Sequence, residues 1–304
     1  MGPMVRRRQV LTSLAALAWT GCRGGSSRAD DRTIEVDTRW RELRFEAGAA
    51  NGEAQRALLL VPDGAPRRPV LVALHGRGEA VRGLDAGARG WRDDYHLDRL
   101  LRRLQAPPLT SDDLGGLVAP ERLIQMNASL QRAPFEGMVI VTPYTPDNRD
   151  RSLAASRGFA RFLVEQLLPR VRTETGNGMG RQATGIDGVS LGGRLALQVG
   201  LSHPEMFGAV AALQPALQLG EAVAFADLAH AAVQKAPLAL RLVSSERDPF
   251  LPAVRALSEK LDERGVAHEF HVTPGPHDYA WNRGPGGAEM ALWHERVQRG
   301  LPPP

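Results

Sequence analysis

The sequence predicts an α/β fold, in which a mostly parallel central sheet carries helices on both faces. Three observations predict it. Eight short runs rich in apolar and β-branched residues recur along the chain, and the later runs are separated by helix-forming stretches. Strands that alternate with helices pack as parallel sheets. The chain has 304 residues and 43% hydrophobic residues, enough to bury one large core or two modest ones.

The predicted strands are short, and turn residues or helical stretches separate them. The first three follow one another closely through turn-rich segments, so we expect the sheet to begin with an antiparallel edge. The eight runs lie at residues 42–45, 56–61, 70–74, 138–141, 183–186, 209–213, 238–243 and 269–273.

Four helices are predicted between and after the later strands, at residues 158–173, 193–201, 253–264 and 288–299. The segment 93–135, after the third strand, does not fit this simple alternation. It contains a helical stretch at 95–104 and is longer than one crossover helix requires. We expect an insertion that either caps the carboxyl edge of the sheet and shapes a pocket, or forms a looping decoration.

A glycine-rich turn at residues 188–193 reads GVSLGG, between the predicted strand 183–186 and the helix that follows. A serine on such a sharp strand-to-helix turn is the arrangement of a nucleophile elbow, and the glycines let strand and helix approach closely. The alternative is a turn whose serine only caps the helix. The pattern by itself does not decide between these two interpretations of Ser190.

A nucleophilic serine requires a base and an acid that orients the base. Asp248 follows the strand 238–243, at the edge of an α/β sheet where ligands bind, and Glu246 is the competing acid. His277 follows the last strand in a proline-stiffened loop. The other histidines precede the serine or lie in or beside predicted helices and strands. Chain order and loop position therefore select His277 as the base.

Backbone amides would stabilise the oxyanion of the reaction. The amide of Leu191, directly after the serine, is one candidate, and the loop after the third strand supplies the other. That loop reads HGRG at residues 75–78, and we favour Arg77 over Gly76 as its donor. We expect His75 to hydrogen-bond within the loop.

The substrate pocket has three possible wall residues: His75, Tyr279 and Trp281. The two aromatic residues follow His277 in the chain. They either line the pocket or pack the last loop against the core.

From about residue 42 to residue 301 the chain resembles the esterase D and feruloyl-esterase-like branch of the α/β-hydrolases. This resemblance implies Ser190 as nucleophile, Asp248 as orienting acid and His277 as base, with no cofactor and no metal. It also implies carboxylic ester substrates, such as acyl groups on sugars, thioester-like carriers or small alcohols. The insertion 93–135 has no evident family counterpart, and we expect it to set substrate preference. The segments that carry the resemblance are LVALHGRG, FLVEQLLPRV, IDGVSLGGRLAL, HPEMFGAVAALQPAL, SSERDPFL and GPHDYAWNRG.

Two other functions stay open at this point. The same triad could serve an acyltransferase or a serine peptidase, because acceptor choice depends on the shape of the pocket. A surface-anchored binding protein with a degenerate hydrolase fold is the alternative of another class. The intact set of Ser190, Asp248 and His277 argues against it.

The N-terminus resembles a bacterial export signal. Three arginines at residues 6–8 precede a short apolar run at 10–20, too short for a transmembrane helix. The arginines resemble a twin-arginine signal, and the position of Cys22 resembles a lipoprotein lipidation site, although Trp19 departs from that pattern. The sequence thus predicts a signal at 1–21, a flexible tether at 22–35 and a hydrolase domain at 36–304. The protein would be a periplasmic or outer-membrane-anchored lipoprotein, or simply secreted.

The net charge of +4 and the pI near 9.8 do not indicate a nucleic-acid partner. The three arginines at residues 6–8 account for most of that charge, and the others are interleaved with Asp and Glu. We expect membrane contact only through a lipid anchor and a small-molecule or carbohydrate-linked ester as substrate. The sequence does not indicate an oligomeric state.

Overall fold

The computed structural model describes residues 39–50, 53–148, 150–152, 154–178 and 180–304. The export signal predicted at 1–21, the tether at 22–35 and the lipidation site Cys22 lie outside these residues and stay predictions. No helix in the described part of the chain is long and apolar enough to span a bilayer.

Eight strands form one sheet, and each overlaps one of the eight predicted runs. Branched and apolar residues fill their buried positions, as in strands covered on both faces. The strands are β1 (Arg39–Ala50), β2 (Glu53–Val61), β3 (Val70–Leu74), β4 (Val139–Pro143), β5 (Thr184–Gly188), β6 (Ala209–Leu213), β7 (Ala239–Arg247) and β8 (Glu269–Pro276).

The sheet is antiparallel at one edge and parallel elsewhere, as the sequence predicts. Its strand order is β1-β2-β4-β3-β5-β6-β7-β8. The β1–β2 and β2–β4 pairs are antiparallel, and every later pair is parallel. Because β3 to β8 run in the same direction, the loops after them meet at one edge of the sheet, where α/β proteins bind ligands.

Helices connect the strands, including all four that were predicted. Alanine-rich α9, between β6 and β7, was missed, although alanine is the strongest helix former. The helices are α1 (Arg77–Ala80), α2 (Leu84–Ala88), α3 (Gly90–Asp93), α4 (Leu97–Gln105), α5 (Pro120–Arg132), α6 (Arg157–Phe162), α7 (Leu168–Thr175), α8 (Leu191–Ser202), α9 (Ala222–Lys235), α10 (Leu251–Glu263), α11 (Tyr279–Trp281) and α12 (Gly287–Gln298).

The sheet separates two hydrophobic cores, because side chains alternate between the faces of a strand. On β3, Val70, Val72 and Leu74 join the core that α6 to α10 cover. Leu71 and Ala73 join the core on the opposite face, with residues of α4, α5 and α12. Helices therefore lie on both faces, as predicted.

The insertion at 93–135 adopts neither of the two expected arrangements. Its helices α4 and α5 bury leucine and methionine side chains in the second core, so the segment covers a face of the sheet. A buried ion network fastens it there: Arg122 of α5 donates to Glu289 of α12 at 2.6 and 2.7 Å. Arg241 of β7 also pairs with Glu289. Although burial alone would raise it, the guanidinium groups of Arg241 and Arg122 lower the pKa of Glu289 to about 2.

Candidate active site

The serine turn lies between β5 and α8, at the carboxyl edge of the sheet. Ser190 has φ 57° and ψ −116°, a conformation that non-glycine residues rarely adopt. Its amide donates to the carbonyl of Leu213 at 2.9 Å, which fastens the strained turn to the end of β6. This strain, held in place by surrounding hydrogen bonds, is typical of functional sites.

The glycines of the turn are required by close backbone contacts. A Cβ atom on Gly192 would lie 2.4 Å from the carbonyl oxygen of Leu74 and 2.5 Å from that of His75. A Cβ on Gly188 would lie 2.5 Å from the carbonyl carbon of Gly192. Backbone atoms cannot move aside as a flexible side chain can, so residues 188 and 192 must lack a side chain.

The structure brings the predicted acid and base together. The Nδ1 atom of His277 lies 2.9 Å from Oδ1 of Asp248. The Asp248 side chain is fully buried, and it also accepts hydrogen bonds from Ser244 Oγ at 2.6 Å and from the Phe250 amide at 3.0 Å. The competing acid, Glu246, is exposed to solvent. The geometry therefore favours Asp248 over Glu246 as the partner of the histidine.

The loop that carries His277 is held by the strands beside it. The carbonyl of Pro276 accepts hydrogen bonds from Gln214 Nε2 at 3.0 Å and from Ser245 Oγ at 3.3 Å. The Phe250 ring meets the imidazole edge-to-face, with centroids 5.4 Å apart. His277 and Ser190 line the same cavity. The hydrogen bonds of the described residues do not join their side chains directly, and such bonds often tighten only when substrate binds.

Two backbone amides beside the serine are free to stabilise an oxyanion. Leu191 and Arg77 are the first residues of α8 and α1, and neither amide donates to an acceptor within the described residues. The Gly76 amide, the third candidate, donates to the Tyr95 hydroxyl at 3.1 Å. It is therefore already engaged, whereas the Arg77 amide donates to no acceptor within the described residues.

A buried carboxylate lies beneath the oxyanion loop. Glu79 is 1% exposed and accepts hydrogen bonds from the hydroxyls of Tyr95 and Tyr279, the latter at 2.7 Å. Tyr95 in turn receives the Gly76 amide, so Glu79 is linked to the loop through one tyrosine. The hydrogen bond to Glu79 raises the pKa of Tyr279 to about 12. Sequence reasoning missed this network because its members lie far apart in the chain.

His75 and Trp281, two of the three candidate pocket residues, line neither cavity. The His75 ring is fully buried, with Nδ1 2.8 Å from the Gly76 carbonyl oxygen and Nε2 accepting the Thr145 amide at 2.8 Å. Burial lowers the pKa of His75 to about 4. Trp281 is fully buried and donates to the Thr273 hydroxyl at 2.7 Å. Both side chains support the site from behind.

Ser190 lies where two cavities adjoin. The larger, about 760 Å³, extends over the N-terminal part of α8 and is lined by residues 146–148 and 150–152, Ser156, Ala216 and Phe250. The smaller, about 260 Å³, is lined by His277 and Tyr279 among others. Of the insertion 93–135, Tyr95 alone contributes to either cavity. Described residues of the segment after β4, which sequence reasoning left unassigned, line the larger cavity instead.

The residues described here do not assemble a metal centre: no group of three or more His, Cys, Asp or Glu side chains is arranged to hold a metal ion. The order and direction of the strands, with a serine turn after β5, define an α/β-hydrolase. Residues 138–284 match the family model described as "Putative esterase". The matched segment contains Ser190, Asp248 and His277, and the chain is an α/β-hydrolase-type carboxylic ester hydrolase.

Solved structures share the fold at low sequence identity. A ferulic acid esterase is 18% identical, with a TM-score of 0.64, over 86% of this chain and 98% of that one. S-formylglutathione hydrolase from Staphylococcus aureus is 13% identical, with a TM-score of 0.60, over 84% of this chain and 98% of that one. A ferulic acid esterase from the anaerobic fungus Anaeromyces mucronatus is 17% identical, with a TM-score of 0.56, over 89% of this chain and 93% of that one. Comparison with curated protein sequences finds no match.

Proposed function

We propose that this protein hydrolyses small-molecule or carbohydrate-linked carboxylic esters through an acyl-enzyme formed on Ser190. One observation carries the proposal: the imidazole of His277 faces the cavity of Ser190 while its Nδ1 is held by the buried carboxylate of Asp248. A carboxylate at Nδ1 fixes the tautomer in which Nδ1 carries the proton. The Nε2 lone pair is then available to accept the serine proton.

In the first half of the reaction, His277 takes the proton of Ser190 as Oγ attacks the ester carbonyl carbon. The negative charge on the carbonyl oxygen is stabilised by the amides of Leu191 and Arg77, each worth about 3 kcal/mol in comparable sites. When the tetrahedral intermediate collapses, the bond to the alcohol oxygen breaks and His277 donates its proton to that oxygen. The alcohol leaves, and the acyl group stays on Ser190.

In the second half, His277 removes a proton from a water molecule, which attacks the acyl carbonyl. The same two amides stabilise the second oxyanion, and the proton returns to Ser190 Oγ as the acid departs. The Asp248 carboxylate, which is held in place by Ser244 and by the Phe250 amide, stabilises the imidazolium form of His277.

The nature of the cavity and the names of the structural neighbours support small ester substrates. The larger cavity is wide enough for a drug-sized molecule and is polar as well as apolar in lining. Two neighbours are named ferulic acid esterase and one S-formylglutathione hydrolase. The wall formed by residues 146–148 and 150–152 would determine which acyl or alcohol group fits.

Hydrolysis of 4-nitrophenyl acetate, 4-nitrophenyl butyrate and methyl ferulate by the purified protein tests this function. We expect Ser190→Ala and His277→Ala each to lower kcat by a factor of about 10³ or more. His203→Ala is the matched control, because His203 is a partly exposed histidine paired with Glu205, outside both cavities. Hydrolysis that survives Ser190→Ala would show that another group is the nucleophile.

A further inference from the structure

Most charged groups in the wall of the larger cavity already have partners. Arg77 pairs with Asp147 at 2.9 Å, and Arg194 pairs with Glu221 at 2.6 Å. Each of these guanidinium groups is therefore neutralised by a neighbouring carboxylate. Asp150 is fully exposed to water, and its carboxylate accepts the Ser152 amide at 2.8 Å. Charges in water are strongly screened, so Asp150 has little influence on the interior of the cavity.

Arg151 differs from the other arginines of this cavity. It lines the cavity and is half-buried, and it forms no ion pair within 4 Å with a described residue; Glu221, the direct partner of Arg194, is the carboxylate that interacts with its charge at longer range. A guanidinium group has five N–H donors, and this one donates to the carbonyl of Ala216. A partly desolvated cation with free donors gains more from an anionic ligand than a cation on the open surface does.

The position of Arg151 is fixed from two sides. Its own carbonyl accepts a hydrogen bond from Arg194, a buried residue of α8. Its guanidinium group is attached to Ala216, and the amide of Ala216 donates to the carbonyl of Ser190 at 3.0 Å. Ala216 therefore links the two residues, since it is hydrogen-bonded both to the guanidinium group of Arg151 and to the backbone of Ser190.

We infer that Arg151 binds an anionic group, a carboxylate in the simplest case, on the ester substrate of Ser190. A planar guanidinium group matches a carboxylate through two parallel hydrogen bonds. The substrate class is thus a monoester that keeps one free carboxylate, on either its acyl or its alcohol part. This inference rests on the proposed function, since it assigns a second contact to the substrate that the serine attacks.

Three matched esters test the inference with the purified protein: neutral 4-nitrophenyl butyrate, mono-4-nitrophenyl glutarate with the carboxylate on the acyl part, and 4-carboxyphenyl butyrate with the carboxylate on the leaving group. We expect kcat/KM for one anionic ester to exceed that for the neutral ester by about tenfold or more. Arg151→Gln should abolish this preference, mainly by raising KM for that ester, and leave the neutral ester within about twofold.

Arg157→Gln is the matched control, because it removes the same charge from an exposed residue that does not line the cavity. It should keep the preference, whereas Arg151→Lys should retain part of it. The inference is overturned if the wild-type protein hydrolyses the neutral ester but prefers neither anionic ester, or if Arg151→Gln slows all three equally. If the wild-type protein hydrolyses none of the three esters and a fluorophosphonate does not label it, the proposed function itself fails.

Discussion

Oδ1 of Asp248 lies 2.9 Å from Nδ1 of His277, and Oδ2 of the same carboxylate accepts the Ser244 hydroxyl at 2.6 Å. The carboxylate is fully buried, so it is held in one orientation and screened from water. Ser244, within β7, could not be identified from a motif, because a serine in a buried strand has no distinctive pattern. Its hydroxyl fixes the orientation of the Asp248 carboxylate.

The first prediction concerns this acid. Asp248→Asn should lower kcat by roughly 10³ to 10⁴, because the amide can hold the imidazole in the wrong tautomer. Glu246→Gln is the control, because it removes an exposed carboxylate two residues before Asp248. Steady-state hydrolysis of 4-nitrophenyl butyrate measures both. A larger loss of kcat in Glu246→Gln than in Asp248→Asn would show that Asp248 is not the orienting acid.

The second prediction concerns the buried carboxylate beneath the oxyanion loop. Tyr95→Phe removes the hydroxyl that receives the Gly76 amide and donates to Glu79, so the loop should lose its fixed position. We expect kcat to fall by about tenfold with little change in KM, because the amides act on the transition state.

Tyr279→Phe is the matched control for Tyr95→Phe. It also breaks a tyrosine hydrogen bond to Glu79, but it leaves the Gly76 amide bonded. Its effect on kcat should be smaller. Equal losses in the two variants, or a loss that resides in KM, would mean that the network does not position the oxyanion amides.

The third prediction concerns the glycine turn. Gly192→Ala should lower the free energy of unfolding by about 3 kcal/mol or more, because its Cβ would overlap the carbonyl oxygens of Leu74 and His75. Gly220→Ala is the control, since a Cβ there meets no atom within 4 Å. Urea denaturation followed by circular dichroism measures both. A Gly192→Ala protein as stable as Gly220→Ala would contradict the packing described here.

The fourth prediction follows from the imidazole of His75. Burial lowers its pKa from 6.5 to about 4. Between those values the unfolded chain binds a proton that the folded protein does not. The free energy of unfolding should therefore fall as the pH falls from about 6.5 to about 4, by about 3 kcal/mol at most from this group. Glu289 also contributes to the free energy of unfolding, but that contribution is lost mainly below this pH range, since the pKa of Glu289 is lowered to about 2.

His75→Gln keeps a donor and an acceptor but cannot titrate, so its stability should depend less on pH in that window. His203→Gln, at a partly exposed histidine, should retain the wild-type dependence. Urea unfolding at pH 4 to 7 compares the three proteins. Parallel curves for wild type and His75→Gln would show that the buried imidazole does not contribute.

Much of the fold could be predicted because apolar runs mark buried strands directly. The strand ends could not: β7 continues to Arg247 and β8 to Pro276, beyond the apolar runs, because backbone pairing at Arg247 and Pro276 does not require apolar side chains. Helix α9 was missed, as its alanine-rich sequence has little contrast between faces. The packing of helix α5 could not be predicted, because its residue Arg122 pairs with Glu289, which lies 167 residues away in the chain.

The serine, acid and base could be proposed from chain order, because each follows a strand that ends at the same sheet edge. The supporting residues could not. Glu79 accepts hydrogen bonds from Tyr95 and Tyr279, and Arg151 donates to Ala216; all of these contacts depend on how the loops fold. His75 and Trp281 have the residue types of pocket walls, but both face the core. Side-chain direction in a loop is set by tertiary packing, which a local pattern does not contain.

The role of Ser190 is tested most directly by labelling the purified protein with a fluorophosphonate and locating the adduct by peptide mass spectrometry. We predict one adduct on Ser190, with labelling lost in Ser190→Ala and strongly slowed in His277→Ala. Because His203 lies outside the site, His203→Ala should label at the wild-type rate. A labelled Ser190→Ala protein, or an adduct on another residue, would contradict the assignment of Ser190 as the nucleophile.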